Sequence, residues 1–403
     1  MRLLFITPYY KPAWFYGGPP KCISEQAEIL ANTFGYEIDV VTLNQSDDKP
    51  LFSSKETVLQ VQNGVRVHYL PSGLNFFSKK YFYCSALKKY LKQFIGADVV
   101  HLHSVFNYFS RAGMQFAFEN KMPYIVTTHG MLDRYSLSRT ATAKKIHRYI
   151  WDNYLLRGAN YMQFTTYEEY NNSILPRGCK PTIVSYLFHT TEKIIGINDD
   201  ALNSTNLVSL GRINRKKGLD ILIKAIALLN TYGIKFTLDI YGEDDDNFKP
   251  ELLKLIELHR LKSQIKFKGK LDPLQRDATL QKYALLVLPS HQENFGLVVV
   301  ESLANGVPVL ISNKVNIFPI VLKHRCGLVF DTNEQNLADR LNHYYNLTLA
   351  EKKCMSANGV KVVKEEFKSS VIAKAYEQLY NNVTKNNRRS KPLKNNRTKV
   401  EMS

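Results

Sequence analysis

Several function classes are excluded by what this sequence lacks. Its five cysteines, at positions 22, 84, 179, 326 and 354, form no C-x-x-C pair and no tight cluster. Neither a disulfide framework nor a zinc site is therefore indicated. No run of roughly 18 apolar residues occurs, so no membrane-spanning helix is expected. The opening "MRLLFITPYYKP" is too short in its apolar part for a secretory signal. A cytoplasmic protein is expected, at most attached to a membrane face. The spacing G-x-G-x-x-G does not follow the first strand, which counts against a dinucleotide-dependent dehydrogenase. Acidic residues are also in short supply, 36 against 54 lysines and arginines, for a net charge of +18.

The chain has 403 residues, 44% of them apolar. That is a globular composition, longer than the roughly 250 to 300 residues at which single cores stop growing. Two domains follow. Strand-length runs alternate with helical patterns: "RLLFIT", "IDVVTL", "VRVHYL", "ADVVHLH" and "PYIVTTHG" in the first half, "NLVSLGR", "FTLDIYG", "IKFKGKL", "ALLVLPS" and "VPVLIS" in the second. Such alternation predicts α/β architecture with parallel sheets covered on both faces. The expected division is a first domain over 1–190, a polar linker over 191–205 and a second domain over 206–365. A helix over 366–383 then returns to the first domain, with Val371, Ala375, Leu379 and Tyr380 along its apolar side. Residues 384–403 read as a disordered tail; from Lys385 onward seven basic residues face Glu401 alone.

A second basic block, "SKKYFYCSALKKYLKQF", carries five lysines and no acid, with aromatic and leucine residues interleaved at near-helical spacing. It predicts a basic amphipathic helix over 79–94. That helix either lies on an anionic membrane face or packs its apolar side on its own domain.

Four loops at strand ends carry candidate chemistry. In "HQENFGLVVVES", Glu293 falls in the loop after a strand and Glu301 about one turn into the following helix. Helical side chains lean toward the N-terminus, so both acids can face one cleft. The amides of Asn294, Phe295, Gly296 and Leu297 sit beside them, suited to a phosphate or sugar oxygen. In "GRINRKKG", Arg212 and Lys217 supply positive charge after another strand, with Arg215 and Lys216 read as solvated. In "FYGGPPKCIS", Gly17 and Gly18 let backbone approach an oxyanion, or simply make a tight turn. In "TTHGMLD", His129 ends a strand just before a glycine. His101 and His103, two apart on a strand, share one face. They are read as packing and hydrogen bonding near the cleft in preference to a metal pair.

These motifs resemble the E-x7-E and G-R-x4-K-G patterns of retaining glycosyltransferases of the large family 4 group. The resemblance implies the GT-B fold: two doubly wound Rossmann-like domains facing each other across a deep cleft. It implies that Glu293 contacts hydroxyls of the donor sugar, that Glu301 holds the nucleotide's ribose, and that Arg212 and Lys217 clamp the donor diphosphate. Gly17 and Gly18 would lie under the donor phosphates, and His129 would hydrogen-bond the reacting sugar. The family often has a further glycine and a proline after the "YG" of "DIYGEDDDN", where this chain has Glu243 and Asp244. That acidic run reads as a solvated loop in preference to a D-x-D metal site, since the cationic clamp already supplies the charge Mg2+ would bring. No metal or cofactor is expected. The expected partners are a nucleotide-sugar donor and a glycan or lipid-linked acceptor at an anionic membrane surface, reached also by the basic stretch "RTATAKKIHRYIW"; no nucleic acid is expected. The alternatives are another GT-B enzyme, an epimerase or phosphorylase, and a non-catalytic basic protein binding membranes or nucleic acid.

Overall fold

In the first strand, Leu3 and Phe5 point to one face and Leu4 and Ile6 to the other, and all four are buried. A strand buried on both faces belongs inside a parallel sheet covered by helices. The computed structural model, which describes residues 1–46, 49–73, 81–138, 153–189 and 199–389, contains two such sheets.

The first is built from β1 (Arg2–Ile6), β2 (Glu37–Leu43), β3 (Val58–Gln62), β4 (Val65–Leu70), β5 (Val99–His103), β6 (Tyr124–Thr127), β7 (Tyr161–Phe164) and β8 (Pro181–Ile183). Their order is 3-4-2-1-5-6-7-8, parallel except for the antiparallel edge strand β3. The second comprises β9 (Asn206–Leu210), β10 (Thr237–Tyr241), β11 (Ile265–Gly269), β12 (Leu285–Leu288), β13 (Val309–Ser312) and β14 (Gly327–Phe330). Its order is 11-10-9-12-13-14, all parallel. In both sheets the strand order reverses direction beside the first strand of the unit, β1 or β9. Open α/β sheets bind ligands at the carboxyl ends of strands beside such a reversal.

The last helix, Ser369–Arg389, lies against the first domain. Its buried side is Ile372, Ala373, Tyr376, Leu379, Tyr380 and Val383, while Val371 is 53% exposed. Leu379 and Tyr380 lie on the buried side as expected and Ala375 packs against it, while Val371 turns outward and Ile372 and Tyr376 take the buried face; the hydroxyls of Tyr376 and Tyr380 find partners inside the first domain. Gln163 donates to Tyr376 at 2.6 Å, and Tyr380 meets His101 Nδ1 at 2.8 Å. Burying Ile372 and Leu379 contributes roughly 1.5 to 3 kcal/mol each. The helix continues through Arg389, so the first residues assigned to a disordered tail are helical; 390–403 lie outside the described residues.

Other expectations change as well. Residue 190 and residues 191–198 of the expected linker lie outside the described residues, and Asp199–Asn203 is a helix with Ala201 and Leu202 buried and Asp199 paired to Lys353 at 2.7 Å. The basic segment is not one helix. Its described part holds a left-handed Phe82, a short helix Leu87–Leu91 and a 3-10 turn Lys92–Phe94. Cys84, Leu87 and Leu91 are buried in the first domain's own core, so this apolar side is occupied by its own domain. Lys79 and Lys80, and the stretch at 139–151, lie outside the described residues. Among the described residues no helix is long and apolar enough to cross a membrane.

Candidate active site

The second-domain half of the site is set by two turns. β9 ends at Leu210, and Gly211 to Gly218 fold over the end of the sheet before the helix Leu219–Thr231. β12 ends at Leu288, and the loop to Gly296 precedes the helix Leu297–Ala304. The turns are joined by a hydrogen bond from His291 N to the Lys216 carbonyl at 2.8 Å. Lys217 Nζ pairs with Glu293 Oε2, with the side chains 19% and 23% exposed. Burial alone would raise the Glu293 carboxyl, but Lys217, Lys216 and Arg212 outweigh it and hold it below its ordinary value.

Lys216 is not the solvated residue expected. It lies in the field of Glu293, Lys217, Arg212 and Asp133, and burial lowers its pKa. Arg215 does face outward, paired with Glu251 and stacked 4.7 Å over Phe248. The acidic run is not simply solvated either. Asp245 accepts from Arg212 at 2.9 Å and from Asn214 at 3.1 Å, and Asp246 accepts from Arg215 N at 3.2 Å. Its acids brace the basic turn. Among the described residues no group of three His, Cys, Asp or Glu is placed to hold a metal ion.

The amides of Asn294, Phe295, Gly296 and Leu297 carry no hydrogen bond among the described residues, as free groups at a helix N-terminus do. The Phe295 ring points away into the core, 5.1 Å from the ring of Tyr186 and 5.8 Å from that of Phe367. Glu301 Oε1 accepts from Arg276 and, across the cleft, from Lys21, each at 2.7 Å. Burial opposes ionisation of Glu301, but Lys21 and Arg276 prevail and lower its pKa.

The first domain meets these groups through glycines. A methyl added at Gly17 would stand 3.6 Å from Arg212 Nε, at Gly18 3.3 Å from Leu297 Cδ1, and at Gly130 2.8 Å from Asn294 Oδ1. His129 and Gly130 both have positive φ, 50° and 74°. This turns the chain sharply off the end of β6 and sets the imidazole between the rings of His103 and Tyr186. A non-glycine residue in that region is strained, and such strain concentrates at functional sites. Burial pushes the His129 pKa down to about 3, so the ring is neutral near pH 7. Both its nitrogens are engaged, Nδ1 with Tyr186 at 2.6 Å and Nε2 with His103 Nδ1 at 3.3 Å. His101 and His103 stack with ring centroids 4.3 Å apart, and His101 bonds Thr127 and Tyr380.

All the candidate residues thus border one cleft. Lys21, Gly130, Tyr186, Asp245 and Arg276 are not singled out by the sequence, and Lys216 is named there only as solvated. Lys21 had one signal: a cation in the first turn of the helix Gly18–Phe34 opposes the helix dipole and calls for an anionic partner. Beside the basic turn lies a cavity of about 390 Å³, lined by Tyr135 of the first domain and by Arg215, Asp220, Phe248, Glu251 and His291 of the second.

Comparison with known proteins agrees with this geometry. Residues 16–170 match glycosyltransferase family 4, and residues 191–361 match glycosyl transferases group 1. The O-antigen biosynthesis glycosyltransferase WclY of Escherichia coli is 28% identical over 47% of this chain and 50% of its own length, so the match spans half of that relative. Among solved structures, the sucrose-phosphate synthase of Thermosynechococcus elongatus has a TM-score of 0.76 at 18% identity, covering 96% of this chain and 99% of that one. Anabaena HepE in complex with UDP has a TM-score of 0.73 at 17% identity, covering 95% and 100%. At such identities the structural likeness shows the fold, and the family matches cover both domains. With two Rossmann-like domains and the motif residues collected between them, the chain belongs to the GT-B glycosyltransferases of family 4, group 1.

Proposed function

We propose that this glycosyltransferase is a retaining, metal-independent hexosyltransferase. In this reading it moves a sugar from a UDP- or GDP-sugar to a hydroxyl of a lipid-linked or oligosaccharide precursor in cell-surface glycan synthesis. The observation that carries the reading is the collection of Arg212, Lys216 and Lys217 beside Glu293 in one cleft, with Glu301 anchored nearby. A departing diphosphate develops negative charge, and cations fixed in a partly dehydrated site stabilise it without reorganising. The clamp fills the role of a divalent ion, and Glu301 offers a carboxylate to ribose hydroxyls. The O-antigen role of WclY and the UDP held by HepE support the glycan and nucleotide parts.

Given retention, which is carried over from the family resemblance, the state of the acids bears on the route. Glu293 is paired with Lys217, Glu301 with Lys21 and Arg276, and Glu169 accepts four hydrogen bonds. An acid so engaged is a poor nucleophile. A front-face route fits better: the bond from the anomeric carbon to the diphosphate oxygen breaks, and the acceptor oxygen bonds on the same face. The acceptor's proton passes to the departing phosphate. His129, neutral, would serve the reacting sugar as a hydrogen-bond partner after giving up one of its present contacts.

The test is thermal stabilisation of the full chain by UDP, GDP and ADP and their sugar conjugates with EDTA present. Saturable stabilisation by one nucleotide family, lost in Glu301→Ala, is expected. No response to any of them would count against the reading. Release of free isomerised sugar, or a strict need for inorganic phosphate, would turn it toward an epimerase or phosphorylase. Basic binding without nucleotide preference would mark a non-catalytic protein. Attachment to an anionic membrane face rests on charge, since Leu87 and Leu91 are buried. Flotation with anionic vesicles should therefore occur at low salt and vanish well above physiological ionic strength; flotation that survives high salt would contradict an electrostatic attachment.

A further inference from the structure

A hydrogen-bonded chain behind the donor site begins on a buried carboxylate and ends on His129. Glu169 is fully buried. Its Oε1 accepts from Thr128 Oγ1 at 2.9 Å and Gly130 N at 2.7 Å, and its Oε2 accepts from Thr165 N and Thr165 Oγ1, both at 2.7 Å. Four donors converge on this group, the pattern of a carboxylate rather than of an acid with a proton to give.

The direction of every later bond follows from that end. Thr165 spends its proton on Glu169, so toward Asn294 it offers only a lone pair. Asn294 Nδ2 donates one hydrogen to Thr165 Oγ1 and the other to Tyr186 Oη, each at 3.3 Å. The acceptor side of the Tyr186 oxygen is then occupied, and its own proton goes to His129 Nδ1 at 2.6 Å. The proton of the neutral His129 ring is left on Nε2, directed at His103 Nδ1. The Tyr186 ring is clamped by stacking on His129, with centroids 5.6 Å apart, and by an edge contact with Phe295. Burial keeps the Tyr186 phenol protonated and the His129 ring uncharged near pH 7.

We infer that Tyr186 is a positioning residue that holds His129 in its Nε2–H tautomer, and that Asn294, reaching over from the second domain, enforces this orientation when the domains are closed. The inference rests on the reading of His129 as the histidine at the reacting sugar. Its physical content is that a histidine serves a substrate differently according to which nitrogen carries the proton, and the partner of the other nitrogen decides this. Thr165, Glu169, Tyr186 and His129 precede the second domain, whereas Asn294 stands in the loop between Glu293 and Gly296. Opening the cleft would free Tyr186 to accept from His129 instead of donating to it.

The experiment is nitrogen NMR on full-length protein labelled with 15N-histidine near pH 7, with the His129 signals assigned by their loss in His129→Gln. A single tautomer, protonated on Nε2, is expected in the wild type, and a mixture of tautomers in Tyr186→Phe, which keeps the ring in its packing. Asn294→Ala, with Tyr186 intact, is expected to give partial mixing and reports independently should Tyr186→Phe fail to fold. In turnover of the nucleotide-sugar, Tyr186→Phe should lower kcat on the order of tenfold or more while KM for the donor stays within about twofold, since it alters proton placement and not donor contacts. A wild-type His129 protonated on Nδ1, or a Tyr186→Phe spectrum identical to wild type, would overturn the inference. The outcomes are separable from those for the transferase reading: nucleotide stabilisation with an Nδ1–H histidine sinks the inference alone, and an Nε2–H histidine without nucleotide binding sinks the transferase reading alone.

Discussion

Lys217→Ala should lower turnover by about 10² to 10³, the loss seen when one fixed donor to a developing anion is removed. In the proposed function the residue is positioned for that task. Its stem lies over Gly211, where an added methyl would stand 3.3 Å from Lys217 Cε, and its ammonium rests on Glu293. A point charge fixed in this way stabilises a leaving diphosphate with little ordering cost. Steady-state turnover at saturating donor checks it; near-normal turnover removes Lys217 from the clamp.

The same substitution has a pH signature. Because the folded Glu293 carboxyl is held below its ordinary value, its pairing adds stability above the unfolded pKa, roughly 4.3 for a glutamate, and loses it as pH falls through the lower folded value. Without Lys217 its attraction and hydrogen bond no longer oppose burial, and the Glu293 pKa rises. The variant should therefore be less stable than wild type at neutral pH, with the gap closing as the medium turns acidic. Glu293→Gln in the Lys217→Ala background should recover stability but not turnover, which separates the charge left unpaired from the lost catalytic contact.

Gly218→Ala is expected to damage both the fold and the site. Gly218 has φ +64°, and an added methyl would overlap the backbone carbonyl of Pro289. The left-handed conformation costs an alanine about 1 to 2 kcal/mol, and a backbone oxygen at the end of β12 cannot swing aside as a side chain would. Relief requires moving the turn at 211–218 away from the loop that follows β12. That breaks the His291 to Lys216 bond and separates Lys217 from Glu293. A lowered Tm together with loss of nucleotide stabilisation is expected. Gly35→Ala and Gly233→Ala are the controls: both glycines have positive φ, 63° and 76°, and neither added methyl meets an atom within 4 Å. They should show the conformational cost alone and keep nucleotide binding; loss of binding in them equal to that in Gly218→Ala would refute the steric explanation.

Much of the architecture was legible because it rests on local pattern. A continuous apolar run of strand length such as Leu3–Ile6, followed by a turn, is a property of a few adjacent residues. It suffices for two parallel sheets and for placing Gly17, His129, Arg212 and Glu293 in loops after strands. At single positions the pattern ran out. The helix Ser369–Arg389 buries Ile372, Tyr376 and Leu379 and exposes Val371, since hydroxyl partners on β5 and β7 select the face. The lysine-rich aromatic segment buries Cys84, Leu87 and Leu91 in its own core and leaves Tyr81 and Tyr83 exposed, a division that composition could not show.

The sequence by itself determined the two α/β units and the loops that hold the chemistry, because strand periodicity and turn residues act over a handful of positions. Only the tertiary structure decided which charges meet. Lys21 reaches Glu301 across 280 residues, Asp245 steadies Arg212, and Asn294 and Tyr186 set the proton of His129. Those pairings depend on how two separately wound sheets face each other, and on burial that shifts each group's ionisation, and neither quantity is local to any stretch of the chain.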